Sequence, residues 1–106
     1  MMKSGRKYKF GDVILASVQY TDTLEIKTRP ALVLFEEYEN IVIAGITSNP
    51  HMQGISLTKQ EGMVIDSIVK LNYIMTLTEL MVKKYLFSIS EEKKQQIKEE
   101  LCEKLQ

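Results

Sequence analysis

The chain has no tryptophan, one cysteine, one histidine, two prolines and a net charge of zero in 106 residues. Each scarcity excludes something. A lone Cys102 cannot form an internal disulfide, so the fold rests on its core, as expected in a reducing cytoplasm. A lone His51 beside a single thiol argues against a structural zinc site, and no metal or other cofactor is expected. No run approaches the ~18 apolar residues that suggest a membrane span. The basic arm from Met1 to Lys9 leads into Phe10-Gly11-Asp12 rather than an apolar stretch, so no secretory signal and no membrane partner are expected. Zero net charge also argues against a generic nucleic-acid coat protein.

What is present suits an ordinary soluble fold. Hydrophobic residues make up 44% and charged residues 26%, and the length fits one domain, 1–106, with an arm at 1–9 and a terminal helix at 90–105. The charge is unevenly spread. Before residue 31, Lys3, Arg6, Lys7, Lys9, Lys27 and Arg29 outnumber Asp12, Asp22 and Glu25, a local excess able to attract a polyanion.

The pattern predicts mostly β-structure. Gly11-Asp12 punctuates the start of a branched apolar strand, 13–18. A polar loop follows at 20–27. Pro30, lacking an N–H, is expected at the first position of the next strand or on an edge. Strands at 31–36 and 41–47 flank a turn at 36–40 and form an antiparallel pair. A loop at 49–54, a short strand at 55–57 and a turn at 59–63 precede a strand at 67–75. That strand alternates Ile68, Lys70 and Asn72 on one face with Val69, Leu71 and Tyr73 on the other. A helical turn near 77–80 and a strand at 81–87 lead to Ser90, an N-cap before Glu91-Glu92. The helix it opens carries Ile97, Leu101 and Leu105 as a stripe, with Cys102 beside it as a small apolar filler. Short strands with one terminal helix favour a small antiparallel β-barrel, closed or nearly so.

Two strand ends carry the chemistry. Thr28-Arg29-Pro30 opens the run 31–35, and Ile46-Thr47-Ser48 closes the run 41–45. Each run reads as a buried strand, so each places polar groups at a strand end, where a rigid scaffold holds them still. A guanidinium fork matches phosphate oxygens bidentately, and a hydroxyl adds one more hydrogen bond. Other roles exist for both residues. Arg29 also suits an ion pair with Glu25 or Glu36, and the Thr47 hydroxyl suits capping the turn at Asn49-Pro50.

Gly11-Asp12-Val13-Ile14-Leu15, Tyr20-Thr21-Asp22, Arg29-Pro30-Ala31-Leu32-Val33-Leu34, Ile46-Thr47-Ser48 and Asp66-Ser67-Ile68-Val69-Lys70-Leu71 follow in order, with Leu86-Phe87-Ser88-Ile89-Ser90 before the helix. In order and spacing this resembles the PemK/MazF family of toxin-antitoxin ribonucleases over about residues 10–105. The resemblance implies an SH3-like barrel, a homodimer, and metal-independent cutting of single-stranded RNA by the ribose 2′-OH. It also implies an acidic antitoxin as partner, and catalytic roles for Arg29 and Thr47. On that reading Lys27, Thr28, Ser48, Lys70 and Asn72 contact RNA.

Transesterification needs a base at the 2′-OH, charge stabilisation at the phosphorane and a proton for the leaving oxygen. Arg29 suits the second task, Thr47 and Ser48 can hydrogen-bond a phosphate oxygen, and the nearest carboxylates in sequence for the first task are Glu25 and Asp22. Some family members place Arg and Asp where this chain has Lys70 and Asn72, so a charge is kept but a carboxylate is lost. Phe87 stands where many relatives carry glycine, an exchange expected to bear on strand packing more than on chemistry. Two other readings fit the same fold. One is a non-catalytic module binding nucleic acid or peptide, and the other is a toxin that poisons DNA gyrase.

Overall fold

The computed structural model describes residues 7–19 and 26–106. Its centre is the three apolar runs, now strands β1 (Asp12–Val18), β2 (Lys27–Glu37) and β3 (Asn40–Thr47). Their alternate side chains feed two separate clusters. Val13, Leu32, Ala44 and Ile46 enter one, while Ile14, Ala31, Val33, Ile41 and Ile43 enter the other. With both faces covered, no position in these runs has to be polar, which is why they read as continuous apolar stretches.

Three further strands complete the sheet: β4 (Ile55–Leu57), β5 (Ser67–Thr78) and β6 (Val82–Ser88). The spatial order is β4-β5-β3-β2-β1-β6, a curled antiparallel half-barrel whose edges are β4 and β6. This is the small β+α architecture the sequence predicts. The curl has a local cause. Ala44 lies opposite Ile74, but the adjacent Gly45 lies opposite Lys70, so β5 holds three extra residues at 71–73 and bends there. Val69 and Leu71 are buried and Asn72 is exposed, as the alternation predicts. The helical turn expected near 77–80 falls at Glu79–Met81, because Leu77 is buried opposite Ile41 and stays in the strand.

The β2–β3 turn is tighter than 36–40. Glu37 pairs with Asn40, leaving Tyr38 and Glu39 at φ of 51° and 69°, the positive values that a two-residue hairpin loop imposes on both central residues. Gly11 has φ of 98°; its N–H donates to the Val33 carbonyl (3.0 Å) and its carbonyl accepts from the Ile89 N–H (2.9 Å). Next to it, the buried Asp12 carboxylate accepts from the Lys9 N–H (3.1 Å) and the Ser88 hydroxyl (2.7 Å). The Gly-Asp pair thereby latches β1 to β2, to β6 and to the entry of the helix.

Helix α1 (Glu91–Lys104) begins at Ser90, whose hydroxyl accepts from the Lys93 N–H at 3.1 Å. Ile97 is fully buried in the first cluster and Leu101 packs against it. The stripe stops there. Leu105 is the C-cap and exposed, and Cys102 is exposed rather than a filler, because one step past Leu101 turns its side chain about 100° away from the contact face. Among the described residues, no helix is long and apolar enough to cross a membrane.

Ile97→Ala should therefore cost about 2–5 kcal/mol of stability, whereas Leu105→Ala should change it by less than about 0.5 kcal/mol. Urea unfolding followed by far-UV circular dichroism measures both.

Candidate functional site

Pro30 lies fourth in β2, not first, and the reason positions the site. The register of β2 with β3 runs from Ala31↔Gly45 to Glu37↔Asn40, so Arg29 and Pro30 lie beyond it. On that stretch β2 has β1 as its paired neighbour, with Pro30 opposite Leu15 and Arg29 opposite Ala16. Ile46 and Thr47 of β3 pair instead with Val69 and Ile68 of β5. Pro30, which has no N–H to give, thus sits one position outside the β2–β3 register and within the β1–β2 register.

A hollow of about 520 Å³ lies beside the start of β2 and the end of β3. Arg29 and Pro30 line it from β2, and Ile46, Thr47 and Ser48 from the end of β3. Leu15 forms part of its floor. Gly62 to Ile65 with Ser67 also line it, and β6 contributes Lys84, Leu86 and Phe87. The residues predicted from two strand ends, Arg29 and Thr47, share this space with Ser48.

Thr47 is buried, and its Oγ1 accepts from the Asn49 N–H at 3.1 Å, the turn-capping role. Asn49 Oδ1 in turn accepts from the His51 N–H at 3.0 Å. These contacts use the hydroxyl oxygen as acceptor and leave its proton available to a ligand. Glu36, the other partner considered for Arg29, is buried and accepts from the Tyr8 N–H at 2.8 Å.

The wall at 62–67 is braced from behind. Glu61 accepts from the Thr58 N–H (2.8 Å) and hydroxyl (3.1 Å) and pairs with Lys93 of the helix at 3.2 Å. Lys93 also donates to the Ser56 carbonyl at 2.8 Å, and Asp66 accepts from the Lys59 N–H at 2.9 Å. Burial pushes the Glu61 carboxyl up, but the Thr58 N–H, Lys93 and the Thr58 hydroxyl together hold it below its ordinary value of 4.5. Gly62 has φ of 128°, and a Cβ there would lie 2.7 Å from the Phe87 ring. Phe87 therefore lies against a glycine supplied by another segment. Its effect is not confined to strand packing, because it also walls the hollow.

Other expected residues fall elsewhere. Lys70 and Asn72 line a separate depression with Gln53, Ile68 and Gln96. Lys70 Nζ donates to the Gln53 carbonyl and lies 5.5 Å from the centre of the Tyr73 ring. Lys70 directly follows Val69, which pairs with Ile55 of β4. Lys27 and Thr28 are exposed on β2, outside the lining of the hollow. Glu25 and Asp22 lie outside the described residues. Sequence reasoning missed Lys84 and the wall at 62–67. The register carries the Lys84 signal, because Leu15 faces both Pro30 and Lys84 across the sheet.

Fold and hollow together define a small curled-sheet protein in which a cavity beside the start of β2 and the end of β3 combines cationic, hydroxyl and apolar groups. The chain belongs to the PemK-like, MazF-like toxins of type II toxin-antitoxin systems, whose family model matches residues 9–105. Membership implies an antitoxin partner. A search of curated proteins finds no individual match.

Two measurements test the wall. Gly62→Ala should destabilise by about 1–3 kcal/mol from backbone strain alone, read by urea unfolding. Because the Glu61 carboxyl is lowered in the folded chain, its contribution is present above its unfolded value of 4.5 and is lost as pH falls through the lower folded value. Glu61→Gln should accordingly shrink the stability difference between pH 7 and pH 3, measured by thermal melting at both.

Proposed function

We propose that this toxin is an endoribonuclease that cuts single-stranded RNA in the cytoplasm, working without metal and as a homodimer. The convergence of Arg29 and Thr47 on one hollow supports this most directly. In the reaction, a ribose 2′-oxygen attacks the adjacent phosphorus and the bond to the 5′-oxygen breaks. The products are a 2′,3′-cyclic phosphate and a 5′-hydroxyl. Arg29, permanently charged, stabilises the negative charge that grows on the phosphorane oxygens. The Thr47 hydroxyl donates to one of those oxygens, and its own orientation is set by the Asn49 N–H. Lys84 adds a second positive charge across the hollow. The proton of the 2′-OH goes to a carboxylate, for which Glu25 and Asp22 are the candidates, and the departing 5′-oxygen takes a proton from solvent water to become the 5′-hydroxyl. Lys27, Thr28, Ser48, Lys70 and Asn72 contact RNA outside the reacting linkage. The antitoxin's acidic segment covers the same basic ground.

A non-catalytic RNA-binding module is the second reading. Among the described residues, no carboxylate and no histidine lines the hollow, which favours it.

Incubation with mixed-sequence RNA in EDTA separates the two. The catalytic reading predicts discrete fragments ending in cyclic phosphate. Arg29→Ala should slow their formation by about 100-fold or more, and Thr47→Ala by about 10- to 100-fold, with melting temperatures near the parent's. Intact RNA after incubation with the parent supports the module.

A further inference from the structure

The hollow is larger and more apolar than a phosphate requires. Beside Arg29, Lys84 and the hydroxyls, its opposite side is built from Met63, Val64, Ile65, Leu86 and Phe87. Val64 is 93% exposed and Ile65 54%, so aliphatic surface faces water within the same cavity that holds two cations. Phe87 is half-buried, held against Gly62, and still lines the space. A ligand matching this lining joins a negative group to an apolar body. Single-stranded RNA offers this in every nucleotide, and its unstacked bases bind aromatic and apolar side chains by stacking.

We propose that the Phe87 side of the hollow is a nucleobase subsite, rimmed by Val64 and Ile65, for the base attached to the phosphate held by Arg29 and Lys84. It rests on the RNA reading and adds where a base sits and which residues receive it. Charge complementarity favours this occupant over a second copy of the chain, because the described lining carries cations and no carboxylate. Gly62 is the positioning residue, since any side chain there would displace the ring.

The test uses the full chain and two fluorescein-labelled oligonucleotides of equal length: a randomised RNA blocked by 2′-O-methyl groups, and its abasic counterpart. Both carry the same phosphates, so the difference in anisotropy-measured Kd isolates the bases. The parent should bind the base-bearing probe at least about fivefold tighter. Phe87→Leu, which keeps apolar bulk but loses the flat ring, should reduce that ratio by more than half and leave the abasic Kd unchanged. Val64→Ser should do the same, and at a residue 93% exposed it should leave the melting temperature near the parent's. Arg29→Ala should weaken both probes alike. An undiminished ratio in both variants overturns the subsite while leaving RNA cleavage by the parent untouched. A Val64→Ser change confined to self-association in sedimentation also overturns it, in favour of a second copy. Failure of the parent to bind either probe defeats the RNA reading and the subsite together.

Discussion

Burial of β1, β2 and β3 on both faces is the constraint on which the remaining structure depends. A strand covered on two sides has little freedom to shift, because a slip of one residue exchanges every side chain between clusters. Pro30 lies one position outside the β2–β3 register, and Ile46 and Thr47 pair with β5. Arg29 and Thr47 thus stand beside strand segments packed on both faces, a frame that orients polar groups before an anion arrives.

The opposite wall is held differently. It is a loop, and loops lack the ladder that fixes a strand. Here a charge pair to the helix and a capping box at Thr58 take the ladder's place. The helix, set in turn by Ile97, therefore has a second task besides covering the core. Gly62 and Phe87 come from segments far apart in the chain, yet neither conformation makes sense without the other. The ring occupies the volume that the missing Cβ leaves, and the positive φ suits a residue without one.

Much of this was legible in the residues. The apolar runs, the Ser90 cap and the turn signals mark strands and helix to within a few positions, since they reflect local periodicity and local hydrogen bonding. Arg29 and Thr47 were legible as candidates because strand ends hold side chains still. Three placements needed the tertiary structure. Lys70 and Asn72 alternate as a strand should, and they line a depression separate from the one that Arg29 lines. Cys102 adjoins an apolar stripe, yet the sheet contacts the helix only as far as Leu101. Pro30 lies fourth in β2, just outside the β2–β3 register, rather than first.

The order of residues by itself determined which segments become strands, where they stop, and that a guanidinium and a hydroxyl stand at two of those stops. Periodicity and missing N–H groups act over a few residues and need no distant partner. Only the tertiary structure decided that Lys84, Phe87 and the segment 62–67 face those groups across one cavity. That outcome depends on register across four strands and on a helix bracing a loop, which are contacts between residues far apart in the chain.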